Sequence, residues 1–160
     1  MDAALEYRIR DASNADGPAV VGLVFGVLRE FGLDPHPSGT DADLADIEAS
    51  YLATGGAFEV IEAPDGAIVG SVAIYPLDRS AGLCELRKMY LHRDWRGRGL
   101  GKLMLQRALR RAKQLGFRRV EIETASVLKD AIALYERVGF RKTSHRPRAP
   151  RADQAYILDL

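Results

Sequence analysis

The chain has 160 residues, of which 47% are hydrophobic and 28% are charged, and its formal net charge is +1. This length and composition are typical of an ordinary folded domain and exclude low-complexity and repeat architectures. The single cysteine, Cys84, cannot form an internal disulfide, and the longest apolar run, Ala19 to Leu28, is too short to cross a bilayer. The first residues lack the basic start and apolar centre of a signal peptide, so we expect residues 1–160 to form one cytoplasmic domain.

The charges are divided unevenly along the chain. Residues 1–80 contain 14 acidic side chains and 4 arginines, whereas residues 81–160 contain 8 acidic and 19 basic side chains. Either the two halves neutralise each other across the fold, or the basic half attracts a polyanionic ligand and the acidic half attracts a cationic one.

The first third of the chain predicts a strand followed by two helices. Residues 7–10 alternate as a short strand does, and apolar residues recur at helical spacing from Pro18 to a stop at Gly32. Residues 34–39 are irregular, and a second helix is predicted from Leu44 to Leu52, before a pair of glycines.

An antiparallel meander follows. Two predicted strands, Phe58 to Glu62 and Ile68 to Leu77, are joined by the turn Pro64-Asp65-Gly66, and Leu83 to Leu91 is a third strand. Because Cys84 lies in this apolar strand, we expect it to be a buried, inert thiol.

The second half of the chain alternates helices and strands. A helix with one apolar and one basic face is predicted from Leu100 to Leu115, then a buried strand from Arg119 to Thr124, then a helix whose apolar stripe runs from Ala131 to Val138. Two strands, Phe140 to Thr143 and Ala155 to Leu160, complete the order β-α-α-β-β-β-α-β-α-β-β.

The segment Arg96-Gly97-Arg98-Gly99-Leu100-Gly101 stands between a predicted strand and a predicted helix. With no side chain at three of its positions, backbone N–H groups can converge on an anion, and the start of the helix adds roughly half a positive charge. Arg96, Arg98 and Lys102 place full charges beside it. This R-x-x-G-x-G spacing predicts a loop that holds a diphosphate, and the alternative is a solvated glycine-rich turn.

Two other phosphate-binding motifs do not match this segment. The Rossmann loop has the spacing G-x-G-x-x-G in a first βαβ unit, whereas this chain has G-x-G-x-G after an antiparallel meander. A P-loop needs glycine where Arg96 stands and serine or threonine where Leu103 stands. Both nucleotide-binding motifs are therefore excluded.

Three segments resemble the GNAT superfamily of acyl-CoA-dependent N-acyltransferases: residues 85–91 (ELRKMYL), residues 96–101 (RGRGLG) and residues 131–141 (AIALYERVGFR). They occur in the order and at the distances found in that family. The resemblance implies an α/β (α+β) GNAT fold, with a mixed, mostly antiparallel central sheet of about seven strands flanked by about four helices. It also implies acetyl-CoA as a co-substrate.

The resemblance further implies which residues bind this co-substrate. The backbone of three strand residues would pair with the pantetheine arm as an added strand does, and the glycine loop would hold the pyrophosphate. The implied cofactor-binding residues are Met89, Tyr90, Leu91, Arg96, Gly97, Arg98, Gly99, Leu100, Gly101 and Lys102.

Acyl transfer from a thioester needs a neutral amine, and a carboxylate can help to remove the proton of that amine. Glu85 is the first candidate for this base or for the counter-ion of the acceptor. The equally open alternative is that Glu85 forms an ion pair with Arg87, Lys88 or another basic neighbour. Glu121 and Glu123 are weaker candidates, and we expect them to pair with nearby arginines.

The reaction also needs a donor for the oxyanion and one for the leaving thiolate. A backbone N–H exposed by a bulge near Met89 to Leu91 would bind the oxyanion. The resemblance implies that Tyr135 donates to sulfur; because a phenol pKa is near 10 and a thiol pKa is near 8.5, a hydrogen bond would be most of its role. Tyr135 also belongs to an apolar helical stripe, so a core tyrosine is the alternative.

The remaining polar residues indicate no metal site and no nucleic-acid site. His36, His92, His145 and Cys84 do not have the spacing of zinc ligands. The basic residues between Arg141 and Arg151 are interrupted by prolines and lack interleaved aromatic residues, so we expect a flexible loop.

Together, the residues and the resemblance predict an acyltransferase that moves an acetyl group from acetyl-CoA to a primary amine of a small molecule, amino acid or peptide. The amine would attack directly in a ternary complex, and the acidic first half would bind this cationic acceptor. The alternative is a catalytically silent acyl-CoA-binding sensor or regulatory module. We predict no nucleic-acid or membrane partner, and a homodimer stays open because exposed terminal strands commonly find partners.

Overall fold

The structure, a computed structural model, describes residues 6–160 of the chain. Seven strands have the bounds β1 (Arg8–Asp11), β2 (Ala57–Glu62), β3 (Ile68–Asp78), β4 (Leu83–Leu91), β5 (Arg119–Thr124), β6 (Arg141–Thr143) and β7 (Gln154–Asp159). The α-helices within residues 6–160 are α1 (Gly17–Glu30), α2 (Leu100–Gln114) and α3 (Lys129–Val138). In this part of the chain, no helix has both the length and the apolar character that a membrane crossing requires.

All seven strands form one sheet in the order β1-β2-β3-β4-β5-β7-β6. Neighbouring strands are antiparallel except β4 and β5, which run parallel because α2 returns the chain to the same end of the sheet. The prediction of a mixed, mostly antiparallel sheet with flanking helices is confirmed.

The alternation of apolar residues along the strands builds a core on each face of the sheet. On β3, Val72 and Ile74 belong to the core that α2 and α3 cover, whereas Ala73 and Tyr75 face the core under α1. Cys84 is fully buried on the α2 side, and burial raises the pKa of its thiol to about 12, as expected for an inert cysteine.

The segment predicted as a regular second helix folds differently in detail. Residues 42–45 form a short 3₁₀ turn and residues 48–52 form one turn of π-helix, with Asp46 in an extended conformation between them. Its apolar residues are buried as predicted, but the side chain of Asp46 accepts a hydrogen bond from the backbone N–H of Ala49. Such side-chain bonds compete with helical backbone bonds, so this fourth helical segment is two short turns.

Candidate active site

Strands β4 and β5 pair over only three residues and then part. Their register runs from Leu83 opposite Arg119 to Glu85 opposite Glu121, after which β4 continues to Leu91 without a described strand beside it on this edge. A cavity of about 770 Å³ lies where the two strands diverge, and its wall includes residues of both strands, of α3 and of the loops around residues 40 and 150. The backbone of β4 is therefore open to a ligand along this edge.

The part of β4 that passes the open edge has a β-bulge in its pairing with β3. Ser71 pairs with Tyr90 and Ala73 pairs with Arg87, so β4 has one residue more than β3 between these two positions. Lys88 lies in this bulge with a φ of 52°, and its carbonyl accepts a 2.7 Å hydrogen bond from the hydroxyl of Ser71. The sequence-based prediction of a bulge near Met89 to Leu91 thus agrees with the structure, which has the bulge at Lys88 and Met89.

Two glycines of the loop before α2 have a left-handed backbone conformation. Gly97 has a φ of 77° and Gly99, the residue that precedes α2, has a φ of 81°. Gly97 and Gly101 line the cavity, and so do Met89, Tyr90, Leu91 and Arg96. Of the other implied cofactor residues, Leu100 is buried in the core, Arg98 lies with its guanidinium 5.8 Å from the centre of the Trp95 ring, and Lys102 and Gly99 are exposed.

Arg96 makes contacts with other protein groups that the sequence did not predict. Its two terminal nitrogens lie 2.6 and 3.0 Å from the carboxylate oxygens of Glu30, at the end of α1, and lower the pKa of that carboxyl. The Nε atom donates to the carbonyl of Leu91 at 2.9 Å, and the guanidinium lies over the ring of Phe31. Arg96 therefore ties the glycine loop to α1 and to the end of β4.

Tyr135 lies in the cavity wall opposite β4. Its side chain is buried, its ring contacts that of Phe140, and burial raises the pKa of its phenol, with a smaller contribution from Tyr90. Among residues 6–160, no side chain or backbone group forms a hydrogen bond with its hydroxyl. A protonated hydroxyl facing a cavity is available as a donor to a ligand.

Glu85 lies at the point where β4 and β5 part, and its side chain is buried. It forms a hydrogen-bonded ion pair with Arg87, and its second oxygen accepts a 3.0 Å hydrogen bond from Arg148. The structure thus contains the ion pair with Arg87 that the sequence left open, while Lys88 pairs elsewhere. Glu85 nevertheless lines the cavity.

Two further carboxylates lie beside Glu85 on β5. The Nη2 atom of Arg148 lies 3.2 Å from Glu121 and 3.5 Å from Glu123. His145 Nε2 lies 2.7 Å from Glu121 without hydrogen-bond geometry. The ligand-type atoms of Glu121, Glu123 and His145 are close enough to hold a metal ion, but Arg148 contacts both carboxylates. Two arginines facing three glutamates leave one negative charge when the histidine is neutral, which favours a cationic ligand.

The sequence analysis missed a buried ion cluster around the side chain of Lys88. The Lys88 ammonium lies 2.5 Å from Asp41 and 3.2 Å from Asp43, and Arg151 donates two hydrogen bonds to Asp41 at 2.7 and 2.8 Å. Burial opposes the ionisation of Asp41, but hydrogen bonds from Arg151, the His36 amide and Lys88 outweigh it and lower the pKa of this carboxyl. The only signal in the sequence was an acidic loop, because the three partners are far apart along the chain.

The parting of β4 and β5, the bulge and the glycine turn at the start of α2 agree with the resemblance to acyl-CoA-dependent N-acyltransferases that the sequence analysis described. The acetyltransferase (GNAT) family matches residues 25–140 of the chain. The chain belongs to this family.

A relative agrees with this assignment, and solved structures share the fold. The uncharacterized N-acetyltransferase YjgM of Escherichia coli K12 is 40% identical over 128 residues, which cover 78% of this chain and 76% of that protein. An acetyltransferase of the GNAT family from Staphylococcus aureus Mu50 has a TM-score of 0.87 at 21% identity and covers 96% of this chain and 99% of its own. A phosphinothricin acetyltransferase from Sinorhizobium meliloti, solved in complex with AcCoA, has a TM-score of 0.75 at 22% identity, over 96% and 88% of the two chains.

Proposed function

We propose that residues 1–160 form a single cytoplasmic N-acetyltransferase domain that moves an acetyl group from acetyl-CoA to a primary amine of a small molecule, amino acid or peptide. The observation that carries this proposal is the cavity between β4 and β5, which joins an open strand edge, a glycine turn and a cluster of carboxylates. The phosphinothricin acetyltransferase with a similar fold binds acetyl-CoA, which supports the same co-substrate here.

The cavity offers matching groups for each part of acetyl-CoA. The pantetheine arm carries two amides, which can pair with the backbone of Met89 to Leu91 because β4 has no described strand neighbour there. The turn from Gly97 to Gly101 at the start of α2 offers backbone N–H groups to the pyrophosphate. Arg98 and Lys102 add charge next to this turn, whereas Arg96 acts on the phosphates through the position of the loop that it ties to α1.

Carboxylates in and beside the cavity wall suit a cationic acceptor. Glu85 and Glu123 line the cavity and Glu121 lies next to them, and this group of three carboxylates attracts the ammonium form of the amine. Deprotonating an alkylamine with a pKa near 10.4 at pH 7 costs about 4–5 kcal/mol, and Glu85 assists this step directly or through water. The neutral amine then attacks the thioester carbon in the ternary complex.

Two groups facing the cavity stabilise the charges that this attack produces. A backbone N–H at the β4 bulge donates to the oxyanion of the tetrahedral intermediate. As the C–S bond breaks, the Tyr135 hydroxyl donates a hydrogen bond to the departing sulfur of coenzyme A. The proton that remains on the attacking nitrogen passes to water, from which the thiolate takes a proton. No metal is assigned a role in this scheme.

The proposal is tested by incubating the protein with acetyl-CoA and a panel of small amines, amino acids and peptides, and by measuring the release of free thiol. We expect release that depends on one class of amine. We also expect acetyl-CoA at a hundredfold excess over its dissociation constant to raise the free energy of unfolding by about 2.7 kcal/mol. Stabilisation without thiol release across the panel would instead support the acyl-CoA sensor, and absence of both effects would reject both functions.

A further inference from the structure

Lys88 has a backbone conformation that lysine rarely adopts. Within residues 6–160 it is the only residue other than glycine with a positive φ, which is 52°. In this region the Cβ atom crowds the backbone carbonyl, so the conformation persists only where the surroundings hold it. The residue lies in the bulge of β4, beside the stretch from Met89 to Leu91 that faces the cavity.

The side chain of Lys88 is held by two hydrogen bonds and a further ion pair. Its ammonium is almost completely buried and donates to Asp41 at 2.5 Å and to the carbonyl of Thr40 at 3.2 Å. It also lies 3.2 Å from the carboxylate of Asp43, without hydrogen-bond geometry. On the backbone side, Ser71 donates to the carbonyl of Lys88.

Asp41 in turn connects Lys88 with the loops that form the cavity wall. Its carboxylate is completely buried and also binds the guanidinium of Arg151, from the loop between β6 and β7, and the backbone N–H of His36. Three separate parts of the chain therefore meet at one carboxylate. Removing one partner of such a buried ion pair leaves an uncompensated charge and destabilises the fold. The three parts of the chain are therefore held together at this carboxylate.

We propose that Lys88, anchored by Asp41, is a positioning residue for acetyl transfer. The anchored side chain holds the strained backbone of the bulge, and the bulge presents the N–H that binds the carbonyl oxygen of the thioester. This inference rests on the proposed function. It differs from a purely structural role, because a structural ion pair would affect the stability of the fold without affecting the recognition of the carbonyl group.

The test compares two ligands that differ in this carbonyl: acetyl-CoA and S-ethyl-CoA, a thioether of the same length. Their dissociation constants are measured by calorimetry for the wild-type protein and for Lys88→Ala, Lys88→Gly and Asp41→Asn. We expect the wild type to prefer acetyl-CoA by roughly tenfold, the worth of one hydrogen bond, and Lys88→Ala and Asp41→Asn to lose most of this preference. Their kcat with the best amine of the panel should fall about a hundredfold, as when one oxyanion donor is removed.

Two variants separate positioning from stability. Lys88→Gly also removes the anchor, but glycine adopts a positive φ without strain, so it should recover part of the preference and of kcat that Lys88→Ala loses. Glu59→Gln is the matched control, because Glu59 is a buried carboxylate paired with Arg107, outside the cavity wall. It should lower the unfolding midpoint and leave the ligand preference and kcat unchanged.

The inference is overturned if Lys88→Ala and Asp41→Asn keep both the preference for acetyl-CoA and kcat. If Lys88→Ala does not fold, Lys88→Gly and Asp41→Asn decide by the same two measurements. A wild-type protein that binds neither ligand overturns the proposed function, and this inference with it. A wild type that binds acetyl-CoA and transfers the acetyl group, with variants that do so equally well, overturns the inference alone.

Discussion

Tyr135 keeps its proton over the whole physiological pH range, because burial raises the pKa of its phenol above the ordinary value. Its proton would have to move to a thiolate whose conjugate acid has a pKa near 8.5, and full transfer is therefore unfavourable. In the proposed mechanism, a hydrogen bond from the phenol to sulfur stabilises the departing thiolate without this transfer. The raised pKa keeps the Tyr135 hydroxyl protonated, so it can donate a hydrogen bond, but makes it a weaker acid.

We accordingly predict that Tyr135→Phe lowers kcat by about tenfold to a hundredfold, which is less than the loss of a complete general acid. The dissociation constant for acetyl-CoA should change by less than about threefold, because the ring and its packing are retained. Steady-state kinetics with the best amine and calorimetry with acetyl-CoA measure the two effects.

Tyr156→Phe is the control for this substitution. Tyr156 is equally buried, but its hydroxyl lies 3.1 Å from Gln154 and 3.3 Å from Glu136, outside the cavity wall. Its loss should leave kcat unchanged. Equal kcat values for the wild type and Tyr135→Phe would assign Tyr135 to the core instead of the mechanism.

Single residues also show where prediction from the sequence reached its limit. Glu85 became a candidate because it stands on a predicted central strand, and Tyr135 because the resemblance to the GNAT superfamily implies its role; both line the cavity. Lys88 and Asp41 could not, since they are 47 residues apart in the chain and meet only after the sheet has formed. The engagement of Arg96 with Glu30 was hidden for the same reason.

Among the elements, the start of α2 contains two glycines, Gly99 and Gly101, whose backbone conformations differ. Gly99 has a positive φ, and a Cβ atom built on it would meet no atom within 4 Å, so its requirement is conformational. Gly101 is helical, and a Cβ atom there would only touch Leu134 at 3.6 Å. The backbone of α2 therefore depends on the first of these glycines and not on the second.

We predict that Gly99→Ala lowers the free energy of unfolding by roughly 1–2 kcal/mol and weakens acetyl-CoA binding, because alanine resists the left-handed turn that starts α2. Gly101→Ala should change the free energy of unfolding by less than about 0.5 kcal/mol, since alanine is a good helix former. Urea unfolding with and without acetyl-CoA measures both. Equal losses of stability in the two variants would contradict this account of the loop.

The elements with strong periodicity were predictable from the sequence, and those with competing polar contacts were not. The strand from Arg119 to Thr124 agrees at both ends, and Gly139, which ends α3, has the left-handed conformation expected of a helix stop. The helix predicted from Leu44 to Leu52 is two short turns, because the surrounding aspartates bond to backbone and side-chain partners. Burial followed the apolar pattern there even though the hydrogen bonding did not.

For the whole molecule, ion pairs between the acidic half and the basic half explain part of the uneven division of charge. Several ion pairs join the two halves: Glu30 with Arg96, Asp41 with Lys88 and Arg151, and Glu59 with Arg107. Three acidic residues of the described cavity wall, Glu85, Glu123 and Asp130, belong to the basic second half, and Asp43 is the one from the first half. The halves therefore neutralise part of each other's charge, as one of the two sequence hypotheses stated, while other ion pairs form within each half.

These pairs predict how stability depends on pH. The folded-state pKa values of Asp16, Glu30 and Asp41 are lowered, so their contribution is complete above the unfolded values of 3.8 and 4.5 and is lost as the pH falls below them. We predict that the free energy of unfolding falls by about 2 kcal/mol between pH 5 and pH 3. Asp41→Asn should be about 3 kcal/mol less stable than the wild type at pH 7, and the difference should shrink below pH 4.

Urea unfolding at pH 3, 4, 5 and 7 measures this dependence. Asp65→Asn is the control, because Asp65 lies in an exposed turn and contacts only the Ala67 amide in the described structure. Its effect on the free energy of unfolding should be small. A constant difference between the wild type and Asp41→Asn over this range would show that the charge of Asp41 does not stabilise the fold.

The parting of β4 from β5 also bears on self-association. An unpaired strand edge is normally a risk, because it templates pairing with another chain and leads to aggregation. Here the open edge belongs to the fourth of seven strands, so it lies in the middle of the sheet and faces β5 and the loops that carry Asp41 and Arg151. A narrow ligand can enter this cleft. A second polypeptide strand cannot reach the edge, because β5 and these loops occupy the space that its side chains would need. The protein can thus keep a hydrogen-bonding edge ready for its co-substrate and still stay free of aggregation at that edge when the co-substrate is scarce.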